Sequence, residues 1–512
     1  MNGAESIVHT LLKSDVSVCF ANPGTSEMHF VAALDHVPGM HCILCLAEVV
    51  VTGAADGYGR MMEKPAATLL HCGPGLANGL SNLHNARRAK SPIVNIVGDQ
   101  ADYHRPLDPP LTADTENWAR GVSAWTRSAM SAKGIGQDVA MAVQAARSMP
   151  GIATLIAPAN SCWDAGGVVA EPLDITLRPE VAPHRVDETA RLLRDVRQPT
   201  LVLLSAPVLN QTMLADAERI AEASGAKFMT TQFNARVARG QGCYPIERLP
   251  YGVGAAISAL AGFKQVILIG ATPPVAPFAY PDQPGHLLPM GAAIHVFARP
   301  DQDVAKALAA LADAISADEV ATPYRELDMA PASGPIEREA FTRVLARLLP
   351  ENAVVVDESV SYGRGFFAGL ANAAPHDYLQ ITGGAIGSGL PMATGAAVAR
   401  PQSRIVSLQS DGAAMYSIQA LWTQAREKLN VTTVILSNRK YAILLGELEN
   451  VGAKIGKVAL DMLNIGDPDI GWVGLANSLG VAAGRAETIE AFTALFKASI
   501  KAEGPYLIEL VI

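Results

Sequence analysis

The chain has 512 residues, 49% of them hydrophobic and only 17% charged, which excludes a disordered chain and leaves room for about two to four domains with sizeable cores. A net charge of −9 without any long basic run argues against a nucleic-acid partner. No apolar run reaches the roughly 18 residues that span a bilayer, and the N-terminus has neither a basic n-region nor a cleavage site, so a cytoplasmic protein that is not membrane-bound is expected.

In chain order, apolar runs at 16–20, 42–46, 67–71, 93–97 and 152–157 alternate with helix-like stretches. This alternation predicts βαβ units on a mostly parallel sheet, over residues 1–165. Cys42 and Cys45 form a C-x-x-C inside the second run. On a strand they point to opposite faces, so they read as reduced buried thiols rather than a metal clamp. The stretch "EPLDITLRPEVAPHRVDE" reads as a linker. A second α/β unit is expected over 186–318, with strands at 200–204, 265–269 and 294–297. Its helix "MLADAERIAEASGA" has Gly225 placed for a C-cap. A second linker, "ADEVATPYRELDMAPASGP", precedes a third unit over 336–512, with strands at 353–356, 405–409, 432–436 and 506–511. The expected fold class is α/β, with three doubly wound domains and mainly parallel sheets.

The most informative stretch is "RIVSLQSDGAAMYSIQALWTQAREKLNVTTVILSNRKYAIL". One strand ends just before Asp411 and another just before Asn438. In a parallel sheet both ends open on the edge where ligands bind, so these residues can converge although 27 positions apart. Two hard oxygen ligands suit Mg²⁺, which takes phosphate oxygens and waters as its other ligands. Gly412 permits close backbone approach to a phosphate, and the helix that follows offers free N–H groups and a positive dipole end. Singly, an Asp-Gly turn and a strand-end Asn are common turn residues; in this frame together they point to a phosphate–metal site.

The stretch resembles the diphosphate-binding motif of thiamine-diphosphate enzymes, Gly-Asp-Gly followed some 25 residues later by Asn-Asn, with Ser410 and Ser437 as departures. The resemblance implies Mg²⁺ held by Asp411, Asn438 and the backbone carbonyl of Lys440. It implies further cofactor contacts at Ser361, Gly412, Ala413 and Tyr441. "ILCLAEVVVTGAADGYGR" resembles the same family's N-terminal segment, which places Glu48 against N1′ of the aminopyrimidine. A carboxylate sharing a proton there favours the imino form of the cofactor, the base for its own C2–H. In "ITGGAIGSGLPMATGAAVA", Ile386 matches the apolar residue under the bent cofactor, and the Gly384 carbonyl matches the acceptor for its 4′-amino group. A glycine-rich helix-packing segment is the alternative. The family implies a homodimer or homotetramer, because Glu48 and the diphosphate site come from different subunits.

Within the family the N-terminal half is similar to benzoylformate decarboxylase. "CFANPGTSEMHF" places Thr25 where that enzyme has a substrate-facing serine, and "TLLHCGPGLANGLSNLHNA" places His71 at an active-site histidine. Imidazole ordinarily titrates near neutrality, which suits proton transfer at the substrate. His84 and His104 are secondary candidates. A second catalytic histidine of that enzyme falls near Tyr280 or Pro281, so it is lost unless His286 replaces it. Val360, Ile443, Leu444 and Glu447 fall at substrate-lining positions. Glu447 stands where that enzyme has an aromatic residue, and facing inward it disfavours an anionic substrate tail.

The acetolactate synthase group is similar in layout and in its "GPG" turn at 73–75. The segment after Tyr441 lacks that group's Gln-Trp and arginine pattern, and no arginine-rich FAD signature stands out, so FAD is not expected. The reading is a decarboxylase of a small-molecule 2-oxo acid, with acyloin carboligation as a second outcome. An acetolactate synthase-like carboligase, a lyase acting on another acyl donor, and a catalytically silent cofactor-binding subunit are the alternatives.

Overall fold

The computed structural model describes all residues except 149, 317, 319, 321, 324 and 328–331. Among the described residues the strands form three sheets. The first runs His41–Leu44, Val18–Ala21, Ala66–Leu70, Ile93–Asp99, Ile152–Pro158, Trp125–Ser128, every neighbour parallel. The second runs Glu247–Arg248, Lys227–Thr230, Thr200–Leu204, Gln265–Ile269, Ala293–Ala298, again parallel. The third runs Ala482–Ala486, Tyr506–Val511, Val431–Ser437, Ile405–Ser410, Ala353–Glu358, His376–Gln380, Arg236–Arg239, and only its last pair is antiparallel. Central strands such as Thr200–Leu204 and Val431–Ser437 are buried at every residue, because helices cover both faces of a parallel sheet.

The expected strands all form, within a few residues of the expected ends. Those not anticipated are short or polar: Trp125–Ser128, Lys227–Thr230, Arg236–Arg239, Glu247–Arg248, His376–Gln380 and Ala482–Ala486. Arg236–Arg239 leaves the middle of the chain to extend the third sheet, where Arg236 also grips Asp377 at 2.8 and 3.0 Å. The expected helix in the second unit spans Gln211–Ser224. Asn210 caps it, accepting the Met213 N–H, and Gly225 ends it at φ 68°. The first expected linker is shorter than predicted, because a helix begins inside it at Pro183, where the missing N–H costs nothing. The second, 317–335, lies partly outside the described residues. The six cysteines are free, with Cys45 buried in one core and Cys42 packed against the other, as alternation along a strand requires. Among the described residues no helix is long and apolar enough to cross a membrane.

Two helices join the first and third sheets. Glu48–Met62 packs on Gly389–Ala399 so closely that a Cβ on Gly57 would lie 2.1 Å from the Met392 carbonyl oxygen, and one on Gly395 would lie 1.8 Å from that of Ala54. Small residues are therefore obligatory there. The second half of the glycine-rich segment is thus a packing helix, and its first half, 381–388, is a loop. Beneath this contact Arg60 and Asp56 form a buried ion pair at 2.6 and 2.8 Å. Arg60 also donates to the carbonyls of Ala235 and Gln380 and to the Thr382 hydroxyl. Ser91 donates to Asp56.

Candidate active site

The helix Glu48–Met62 begins at Glu48, whose carboxylate is buried and accepts from Asn78 Nδ2 at 3.3 Å. Its other oxygen faces Gly75, where a Cβ would lie 2.9 Å away, so glycine keeps the space before the carboxylate open.

His71 follows the strand Ala66–Leu70 and directly precedes the next helix, Cys72–Ala89. Its Nδ1 lies 2.8 Å from Glu27 Oε2, which also accepts the Gly24 N–H at 2.8 Å. Glu27 is only 2% exposed, and its Oε1 has no hydrogen-bond partner. Burial pushes its carboxyl above the ordinary glutamate range, against the lowering effect of Gly24 and His71. Thr25 is exposed on the short turn between Gly24 and Glu27, and the His71 ring fills the space beside Gly24. Cys72 packs against Ser26, and burial pushes its thiol up to about 11, which makes it inert.

At the other end of the chain, Asp411 accepts the Gly412 N–H at 2.8 Å and the Arg439 N–H at 2.6 Å. The second bond brings Asp411 to the Asn438–Arg439 peptide, so the expected convergence forms. Burial raises the Asp411 carboxyl, and the backbone donors oppose this. Asn438 Oδ1 accepts the Lys440 N–H at 3.0 Å, and the Lys440 carbonyl accepts the Ala442 N–H at 2.9 Å. Each oxygen keeps a free lone pair, and the donor set is all oxygen, so the residues fit a hard divalent cation. One expectation needs correction. The helix after Ser410 has only four residues, Asp411–Ala414, so its dipole is slight. Gly412 meets a further constraint, apart from the expected one: a Cβ there would lie 2.4 Å from the Tyr441 ring. Ala413 is buried in the same turn.

A cleft of about 1620 Å³ runs between the second and third sheets and the end of the helix Cys72–Ala89, and Val360, Gly384, Ile386, Ile443 and His84 line it. Ser361 adjoins it, half-buried. Gly384 adopts φ 79° with open space around it. The loop carrying Gly384 and Ile386 is clamped from two sides. Glu358 accepts the N–H groups of Gly387, Ser388 and Gly389 at 2.7–3.1 Å. Asn85 holds Gly383 and Ala385, Asn82 donates to the Gly387 carbonyl, and His84 Nε2 lies 3.1 Å from the Gly383 carbonyl. Leu444 is exposed and does not line the cleft, and neither does Glu447, which accepts from the Tyr280 hydroxyl at 2.6 Å. His286 and His104 are exposed and lie outside the cleft.

Three non-glycine residues in the left-handed region sit at these positions: Cys72 after His71 (φ 51°), Val360 in the cleft (φ 52°) and Arg439 after Asn438 (φ 59°). Such conformations persist only where the surroundings enforce them, and a β-branched residue pays most. Among the described residues no hydrogen bond or ion pair links the Glu27–Glu48–His71 group to the Asp411–Asn438 group.

Residues 1–119 match the model described as "Thiamine pyrophosphate enzyme, N-terminal TPP binding domain", and 366–510 match the corresponding C-terminal TPP binding domain. IlvX of Mycobacterium tuberculosis, provisionally described as an acetolactate synthase large subunit, is 46% identical over 100% of this chain and 99% of its own. The chain belongs to the thiamine pyrophosphate enzymes. Benzoylformate decarboxylase of Pseudomonas aeruginosa is 27% identical over 98% of this chain and 97% of its own. Among solved structures, a thiamine diphosphate-dependent 4-hydroxybenzoylformate decarboxylase of Rhodococcus jostii RHA1 superposes with a TM-score of 0.83 at 25% identity, covering 99% of this chain and 98% of the other. This thiamine pyrophosphate enzyme is thus related to both decarboxylases and acetolactate synthases. Sequence reasoning missed Glu27, Glu358, Asn82 and Asn85. Glu27 lies two residues beyond Thr25, so a carboxyl beside a matched loop was its only signal.

Proposed function

We propose that the chain decarboxylates a 2-oxo acid to an aldehyde without oxidation, using thiamine diphosphate and Mg²⁺, with acyloin formation as a second outcome. The observation that carries this reading is the Glu27–His71 pair: a buried carboxyl 2.8 Å from an imidazole at a partly exposed edge. Decarboxylation to an aldehyde ends with a proton delivered to carbon, and this pair can deliver it.

The cofactor, when bound, supplies the electron sink for the carbonyl carbon. Asp411, Asn438 and the Lys440 carbonyl would hold Mg²⁺, Glu48 would hold the aminopyrimidine, and Gly384 and Ile386 would shape the bend. Thr25 and His71 would face the substrate. Arg248 and Arg364 line the cleft, whereas its carboxylates Glu247, Asp357 and Glu358 are engaged by Lys227, Tyr378 and the loop amides, so an anionic acid is drawn inward. Leu46, 45% exposed beside Glu48, and Tyr416, 58% exposed beyond Asp411, support a site completed by a second copy of the chain.

A panel of 2-oxo acids, with and without an acceptor aldehyde, tests the reading. Aldehyde release supports decarboxylation, and acetolactate-type products alone would replace it with the carboligase. No product from any acid would favour the silent subunit. His71→Ala is expected to lower aldehyde formation about a hundredfold with cofactor affinity kept, measured by steady-state kinetics and calorimetry.

Glu27 also predicts a pH effect. Burial lifts its carboxyl, so the folded chain keeps a proton there that the unfolded chain has released. That contribution to stability is complete below the unfolded value and fades as pH rises through the elevated native value. Glu27→Gln should flatten this decline in thermal unfolding midpoints taken between about pH 4 and pH 8.

A further inference from the structure

Residues 442–463 leave and rejoin the body of the molecule at one place. The Tyr441 N–H donates to the Leu463 carbonyl at 2.8 Å and the Ile465 N–H to the Arg439 carbonyl at 2.9 Å, and Lys440 pairs with Asn464 between them. Between these ends run two helices, Ala442–Asn450 and Lys457–Leu463, neither with a buried residue. The excursion is a flap hinged on the turn that carries Asn438 and the Lys440 carbonyl. With so little burial, its own packing holds it weakly.

Among the described residues, one side-chain hydrogen bond ties this flap to a distant element: the Tyr280 hydroxyl donates to Glu447 Oε2 at 2.6 Å. Asn450, on the flap itself, adds a longer contact of 3.4 Å to the same oxygen. Tyr280 belongs to the opposite wall. The connection between the strands Gln265–Ile269 and Ala293–Ala298 folds into a hairpin-like arm. In it Val275 pairs with His286, the Ala276 N–H donates to the Gly285 carbonyl at 2.9 Å, and the tip turns at Tyr280, whose carbonyl accepts the Gln283 N–H. The near side of this arm, through Phe278, lines the cleft. On the flap, Ile443 lines the same cleft and Glu447 follows one turn later on the same helix face. The Tyr280–Glu447 bond therefore crosses the rim of the cleft from wall to wall.

We propose that Tyr280 is a positioning residue that, through Glu447, latches the 442–463 flap over the cleft, so that substrate exchange requires this bond to break. The inference rests on the cleft being the approach to the reaction site. A phenol–carboxylate bond is charge-assisted, strong enough to hold an otherwise lightly packed flap and single enough to release it. Closure also steadies the hinge, and with it the turn presenting Asn438.

Amide hydrogen exchange over 438–465, in the enzyme loaded with thiamine diphosphate and Mg²⁺, tests the latch. Tyr280→Phe keeps the ring and removes only the hydroxyl; exchange across 442–463 is expected to rise about tenfold while the first sheet stays protected. Glu447→Gln keeps an acceptor oxygen but removes the charge, so exchange across 442–463 should rise by less than in Tyr280→Phe. With a 2-oxo acid that is turned over, Tyr280→Phe should raise KM more than it lowers kcat. Unchanged exchange in Tyr280→Phe overturns the latch, whether packing or a second copy of the chain then holds the flap. Exchange needs no turnover, so a chain that fails to decarboxylate still decides the latch, and decarboxylation with unchanged exchange keeps the reaction and removes the latch.

Discussion

In a Glu48→Gln variant, deuterium exchange at C2 of bound thiamine diphosphate is expected to slow about a thousandfold, within the usual range for removing one acid–base group. Glu48 opens its helix with a buried carboxylate, held by Asn78 and facing a space that Gly75 leaves clear. Glutamine has the same shape and can still hydrogen-bond a ring nitrogen. It cannot share an ionisable proton with it, so binding and activation should separate. Calorimetry should find cofactor affinity within severalfold of the parent. NMR exchange rates that are equal in the two proteins would remove Glu48 from its proposed role. Exchange that is slow in both would favour the silent subunit.

Asp56→Ala is expected to cost about 3–5 kcal/mol of stability, because it strands the Arg60 guanidinium without its counter-charge in a buried site. Arg60 and Asp56 are 3% and 1% exposed. The effect should extend beyond one helix. Arg60 ties the Glu48 helix to Ala235 before the strand Arg236–Arg239, and to Gln380 and Thr382, just ahead of the Gly384 loop. The double replacement Asp56→Leu with Arg60→Met should recover much of the loss, since an apolar pair removes both charges together. The readout is the half-life of thermal inactivation, which suits a large chain. A half-life unchanged in Asp56→Ala would mean that Arg60 is satisfied by the carbonyls alone.

Legibility in the sequence followed the range of the forces involved. Buried parallel strands such as "TLVLL" are written as contiguous apolar runs, because both faces are covered by helices of the same chain. Edge strands such as Arg236–Arg239 carry charge and take their conformation from a neighbour, so they left no local trace. Asp411 and Asn438 were recognisable because each stands at the end of such a run, and the fold brings those ends to one edge. For Gly412 the structure adds a reason the sequence did not show: the Tyr441 ring occupies the space that a Cβ would need.

Side-chain partners were a different matter. Nothing local tells that Glu27 turns back onto His71, 44 positions later, or that Glu358 collects three amides from 387–389. Nor does anything local tell that Glu447 faces Tyr280 rather than the cleft. What the amino-acid order determined alone was the family, the alternation of strand and helix, and the residue types at each strand end, since these depend on neighbours a few positions apart. Which charged groups pair, which are buried, and which backbone turns are forced left-handed was decided only when three sheets packed together, because desolvation and close contact act through space and carry no signature along the chain.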